Sequence, residues 1–419
     1  MHFVNKIKVM AKKVPLFSWA NATIKCLQLK RELSALRKYY ERRADDKGFV
    51  YSAVAAEEEF RHRLYIRRPD FTPRESGQLR VFWVGACQSQ DESGFIQSLR
   101  RLCVVTEFHN IDGNYGLWYG GTNSESSSLT EVRAANDRAL LQQVKQAVEN
   151  GGLDLLIGQL WAHVISKEAL AKVQVLGVLV INISMDDRLP LHWGYHDDIR
   201  MGSIGLAPSL DMVLTTSPET CLWYGVESCP SIFWPLASDP TVFTPSENIV
   251  RDINVLFIGN KYGIRGTIIR YLEGRGLKID CYGAGWPNGY VNAEQMAALS
   301  KRARIILGVG TVGHCRDVYT LKLRDFDALM TGALYLTHRN PDLCRLFKEG
   351  LEIECYEKLE EAYLKIRFYL DNPDDLQRVA MAGQIKAFSK YTWDHRIDKT
   401  FSRLGLLCSS QPAISSTDT

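Results

Sequence analysis

The 419-residue sequence lacks any run of about 18 apolar residues, so no segment is expected to span a bilayer. Its first residues show neither a long apolar core nor a small-residue cleavage site, and no signal peptide is expected. The ten cysteines include no C-x-x-C pair. Scattered through apolar runs, they read as reduced thiols in a cytoplasmic protein rather than as disulfides or zinc ligands. Metal-binding acid patterns are missing too: Asp186 and Asp187 are adjacent and do not form Asp-x-Asp. The glycines Gly259, Gly263 and Gly266 do not make the G-x-G-x-x-G fingerprint, so no dinucleotide cofactor is implied. A strong net charge is absent as well. The formal value is +3, which excludes a polyanion-binding body. Residues 1–75 do carry 17 Lys and Arg against 9 Asp and Glu, but this basic arm contains no recognised nucleic-acid motif.

What is present is ordinary globular material, 46% hydrophobic and 24% charged, long enough for two or three cores. Residues 1–78 read as a basic helical segment. Ile24, Leu27, Leu29, Leu33 and Leu36 recur with Lys and Arg between them. The plainer account packs this helix on the body or on another subunit. The alternative lays residues 14–44 on an anionic membrane surface, with Phe17 and Trp19 as anchors. Residues 79–245 show the alternation of a doubly wound domain. Apolar strands are expected at 79–85, 153–158, 178–184 and 211–217, with helices between them. A long glycine- and serine-rich stretch carries Tyr115, Trp118 and Tyr119, whose faces suit a sugar ring. Asp186, Asp187, His192 and His196 follow the third of these strands and form the densest titratable cluster of this half. At a strand end they are candidates for a general base, with Asp187 and His192 the preferred pair. Ser217 and Pro218 read as N-cap and N1 of a helix.

Proline and polar residues between 235 and 251 mark a boundary, and a second domain is expected over 246–395. It opens with the strand 253–259. Gly259 and Asn260 follow, with Lys261 or Arg265 as charge partners for a phosphate. Tyr282 and Gly283 end the next strand. The centre of this domain is a strand at 303–308, a loop containing Gly308 and Gly310, a helix, Gly332 as its left-handed stop, and a strand at 333–337. Lys322, Arg324 and Asp327 are placed on the polar side of that helix. Two cations and a carboxylate beside a glycine-rich strand end suit a phosphate-and-ribose ligand.

Arg324-x-Phe326-Asp327 with Gly332 five residues on resembles the Arg-x-Phe-Glu…Gly core of family 1-type glycosyltransferases, particularly the CgeB-like group. The likeness continues through Asn340–Gly350 and Ile366–Pro373, and closes at Tyr391-Thr-Trp-Asp-His-Arg396. It implies a GT-B architecture: two Rossmann-like doubly wound domains facing a cleft, here with an extra N-terminal helical segment. It places an acceptor domain at 79–245 and a nucleotide-sugar donor domain at 246–395. A crossing helix and a disordered tail would occupy 396–419.

The resemblance implies transfer of a sugar from a nucleoside-diphosphate sugar to a hydroxyl of a glycan or lipid-linked glycan, without a metal or cofactor. The setting would be surface polysaccharide or glycoconjugate synthesis on the cytoplasmic side. Lys322 and Arg324 would hold the diphosphate, the loop from Gly308 would give backbone donors, and Asp327 would meet the ribose. Two positions depart from the pattern. Asp327 stands where many relatives have Glu, and Tyr319 where retaining families have a second Glu. A retaining mechanism is therefore not carried over, and an inverting one needs a base such as Asp187 or His192. Two other readings stay open. One is a non-catalytic nucleotide-sugar binding or assembly protein of the same fold; the other is a related epimerase or phosphorylase.

Overall fold

The computed structural model describes residues 15–120, 128–244 and 249–408, with side chains from residue 22 onward. Phe17 and Trp19 as anchors, residues 121–127 of the glycine- and serine-rich stretch, residues 245–248 of the linker and the tail from residue 409 lie outside what it describes.

Among the described residues, eleven strands build two parallel sheets. The first contains β1 (Leu79–Val84), β2 (Cys103–Glu107), β3 (Leu155–Gly158), β4 (Leu179–Ser184), β7 (Met212–Thr215) and β8 (Ser231–Phe233). Between β4 and β7 a small antiparallel ribbon forms from β5 (Tyr195–His196) and β6 (Ile199–Arg200). The second sheet contains β9 (Ile253–Ile258), β10 (Asp280–Tyr282), β11 (Ala303–Leu307), β12 (Leu334–His338) and β13 (Glu354–Tyr356). The strand orders are β2-β1-β3-β4-β7-β8 and β10-β9-β11-β12-β13. In both sheets the first strand has the second on one side and the third on the other. The winding direction therefore reverses between β1 and β3, and between β9 and β11, which opens a crevice beyond the strand ends. Helices cover both faces, so strands such as Leu179–Ser184 are buried at every position.

Local sequence explains several boundaries. The helix Leu129–Glu149 begins in a capping box, Ser128 accepting from the Glu131 N–H while Glu131 reaches back to Ser128. Gly332 ends the helix Arg324–Met330 at φ 71°, a conformation that disfavours other residues. Ser217 differs from its expected role: its hydroxyl makes no cap bond to the helix Pro218–Val226. Its own N–H instead donates to Thr215 Oγ1.

The helix Trp393–Arg403, capped by Thr392, returns to the first domain. Trp393 packs between Phe95 and Trp234, at 5.2 and 5.4 Å between ring centroids. Asp394 accepts from Ser98 Oγ at 2.5 Å and from Arg101 at 3.0 Å. Each such aromatic pair adds about 0.5–1.5 kcal/mol beyond area burial. The N-terminal helix Pro15–Lys47 lies on the body through Leu33, Tyr40 and Ala44. Tyr40 stacks on Trp223 at 5.3 Å, and Arg37 and Arg43 pair with Glu219 and Glu227. Lys30 also pairs with Asp317 of the second domain, so this helix touches both domains. Among the described residues no helix is long and apolar enough to cross a membrane.

Candidate active site

The carboxyl ends of the two sheets face one another across a cleft of about 560 Å³. The first domain contributes the loop after β1 (Ala86, Cys87, Gln90), the loop after β3 (Gln159, Trp161) and Asp186 after β4. Tyr119 also reaches the cleft. The second domain contributes Gly259, Asn260, Gly283, Lys322, Arg324 and Asp327. Six of the expected donor-side residues are thus brought together, and of the first domain's candidates Asp186 and Tyr119 join them.

Lys322 and Arg324 make one wall of the cleft cationic, and a third cation, Arg265, lies behind Gly259 outside the lining. Arg265 opens the helix Arg265–Glu273 and is buried, its guanidinium donating to the Asn260 carbonyl at 2.9 Å. Arg324 lies beside it, its guanidinium carbon 5.1 Å from the centre of the Phe257 ring. Gly259 makes room for both. Its φ is 150°, and a Cβ there would collide with Arg324 Nη2 and approach Arg265 Nη1 to 3.2 Å. Among the described residues Arg324 Nη1 is buried without a hydrogen-bond partner. Burial, reinforced by the neighbouring Arg324 charge, lowers the Arg265 guanidinium to about 10. Two half-buried or buried cations side by side, with Asp325 and Asp327 as the carboxylates that feel Arg324, favour an added anion. Lys322 stands half-buried at the cleft wall.

Asp327 lies at the same wall, 6% exposed. Burial pushes its carboxyl up to about 8, against the pull of Arg324. At neutral pH it is therefore mostly protonated, able to donate one hydrogen bond and accept others. Its neighbour Asp325 has a structural task. It accepts from Tyr335 OH at 2.5 Å and from the Lys322 N–H at 2.8 Å, fixing the turn that presents Lys322 and Arg324.

Several expected site residues stand elsewhere. Asp187 is fully enclosed, with Ser184, Thr215 and Tyr224 hydroxyls donating to it at 2.5, 2.6 and 2.8 Å. It is turned into the first domain's core, where no substrate reaches it, so it is not the base the sequence suggested. His192 is not among the residues lining the cleft. It sits 6.4 Å from His163, and burial lowers its basicity. Gly308 and Gly310 are also absent from the lining. The Gly308 N–H donates to the Leu336 carbonyl and its carbonyl accepts from Tyr356 OH, so it serves close packing rather than backbone donation to a ligand. Tyr282 is off the cleft as well, its carbonyl accepting the Gly259 N–H at 2.8 Å. Of the aromatic stretch only Tyr119 faces the cleft. Tyr115 donates to the buried Asp91 and accepts from Trp83 Nε1, and Trp118 is tied to Asn136. The sequence offered Arg265 only as an alternative to Lys261. Lys261 in fact lies over Trp286, 4.7 Å from the ring centre.

Residues 265–402, about a third of the chain, match the family model described as glycosyl transferase-like. No curated protein matches the chain in sequence. Among the solved structures that share its architecture are three with a TM-score of 0.54 each. HepE of Anabaena, in complex with UDP, is 9% identical, over 77% of this chain and all of its own. Sucrose-phosphate synthase of Thermosynechococcus elongatus is 11% identical, over 77% of this chain and 98% of its own. A glycosyltransferase of Rickettsia africae is 9% identical, over 80% of this chain and all of its own. At such identities the likeness establishes the fold, which is GT-B. The sequence resemblance to family 1-type glycosyltransferases of this architecture is borne out.

Proposed function

We propose that the protein transfers a sugar from a nucleoside-diphosphate sugar to an acceptor hydroxyl. The observation that carries this reading is the cationic wall of the interdomain cleft, Arg324 and Lys322 with Asp327 beside them, backed by Arg265 behind Gly259. As the sugar leaves, negative charge grows on the diphosphate and positive charge on the anomeric carbon. Preorganised cations at the diphosphate stabilise the first without reorganising water. Arg324 and Lys322 supply two such charges in the cleft, with Arg265 behind Gly259 adding its field, which makes a metal-independent reaction the natural form. Asp327 takes the ribose hydroxyls, its protonated carboxyl acting as donor as well as acceptor. HepE, of the same fold, holds UDP or UDP-glucose in its solved complexes.

With Asp187 enclosed, Asp186 is the carboxylate that the first domain presents to the cleft, and we assign it the base of an inverting transfer. Trp161 and Tyr119 beside it offer faces for an acceptor sugar. The product would be a glycan or lipid-linked glycan of a surface polysaccharide.

The test is a panel of UDP, GDP, TDP, CDP and their sugars in thermal unfolding, followed by product analysis with and without acceptor. One nucleotide should stabilise the protein, and Asp186→Asn should keep that response while losing transfer. Stabilisation without transfer to any acceptor would favour a nucleotide-sugar binding protein, the reading that the short side chain of Asp327 supports. No response to any nucleotide overturns the proposal.

A further inference from the structure

We propose that Cys344, Glu349 and Cys355 form a structural site for a soft divalent cation of the zinc class, apart from the cleft. Cys344 lies on the helix Pro341–Leu346, Glu349 in the connection that follows, and Cys355 in β13. One ligand atom from each lies within 4.8 Å of the other two, and among the described residues this is the one group of its kind.

The spacing of the sulfurs suits a bridging metal. They stand 3.9 Å apart. An ion bound tetrahedrally at about 2.3 Å from each sulfur would separate them by about 3.8 Å. The pair already has that separation, so the ion requires almost no movement.

The surroundings are compatible with this ion. Arg339 and Lys365 both address Glu349 Oε1, at 2.7 and 3.5 Å, which leaves Oε2 for the ion and fixes the carboxylate plane. Glu354, Glu357 and Glu361 pair with the same two cations. The cluster therefore has more acids than bases before any ion arrives. A divalent cation that displaces two thiol protons leaves its net charge unchanged. Cys344 and Glu349 are half-buried, so water has access to a fourth coordination position. The bound ion would clamp the helix Pro341–Leu346 to β13. That helix carries Asp342, which Arg188 of the first domain grips at 2.5 Å. Eleven positions separate the two cysteines, too far for the short cysteine motifs by which a sequence reveals zinc.

The probe is Co²⁺ titrated into the full chain after chelation under reducing conditions. The expected result is one equivalent bound, with thiolate-to-cobalt absorption in the near ultraviolet and the visible bands of tetrahedral cobalt, both displaced by Zn²⁺. Cys344→Ser, at a half-buried position, should lose the thiolate band with its circular dichroism unchanged. Glu349→Gln should weaken cobalt binding tenfold or more. Cys355 is buried in β13, so its replacement is not relied upon. Wild-type protein that takes up no cobalt, or a Cys344→Ser spectrum equal to wild type, overturns the proposal. So does a metal-free protein isolated with a Cys344–Cys355 disulfide, which would make the pair a redox site.

Discussion

Replacing Arg324 with methionine is expected to stabilise the free protein while removing most of its response to nucleotide. The two effects have opposite signs because Arg324 is a liability until an anion arrives. Arg265 is lowered from its ordinary 12.5 to about 10, first by burial and then by the charge of Arg324. At about 1.4 kcal/mol per pH unit, that is about 3 kcal/mol of disfavour for the buried charge. Burial takes the larger share, so relief from Arg324 is on the order of 1 kcal/mol. Methionine keeps the packing on the Phe257 ring and has a comparable helix propensity. Urea unfolding without ligand should therefore show a variant about 1 kcal/mol more stable. A nucleotide at 100 times its dissociation constant stabilises wild type by about 2.7 kcal/mol. Losing a charge-assisted contact of about 2 kcal/mol weakens binding about thirtyfold. At the same nucleotide concentration the variant should then gain only about 1 kcal/mol. A variant that is less stable than wild type and still responds fully to nucleotide would refute the claim that this pair is an anion site.

Asp327→Asn should flatten the pH dependence of stability. The carboxyl is raised to about 8 in the folded chain, so between about pH 4 and 8 the folded state holds a proton that the unfolded state has lost. Stability from this group therefore falls as pH rises, by at most about 1.4 kcal/mol per unit, and the wild-type-minus-variant difference from urea titrations at pH 6 and pH 8 should show that slope. Arg188→Met should cost about 3–5 kcal/mol, because Asp342 would lose its partner while buried; chemical denaturation reads this. Asp187→Asn should lower stability while leaving the transfer rate per folded molecule unchanged; a large fall in that rate with intact stability would restore it as the base.

Much of the second domain was legible because its signals are local. An apolar strand followed by Gly259 predicts a tight passage at a strand end, and Gly332 predicts the end of a helix; both rest on backbone conformations that few other residues adopt. The short edge strands β8 and β13 were not legible. Three residues carry no usable periodicity, and unlike β10, whose end Gly283 marks, these two have no glycine at their end; they become strands because β7 and β12 offer them a ladder. The helix Trp393–Arg403 was expected only through the family resemblance, which began it at residue 396, and its docking partners, Phe95 and Trp234, lie far away in the chain.

Asp186 and Asp187 show where sequence reasoning stops. Both are carboxylates at the end of β4, and composition treats them alike. Adjacent residues leaving a strand point in opposite directions, so one reaches the cleft and the other must enter the core. Which is which depends on Ser184, Thr215 and Tyr224, whose hydroxyls converge on Asp187 from β4, β7 and the helix Pro218–Val226. Three hydroxyls around one carboxylate make a buried polar network that holds the end of the sheet together. The same geometry gives Arg188, the next residue, its interdomain role: with Asp187 anchored, Arg188 is directed across to Glu219, Asp342 and the Tyr319 carbonyl. The loop after β4 thus divides its work by position: Asp186 faces the cleft, Asp187 secures the core, and Arg188 ties the two domains on either side of the cleft.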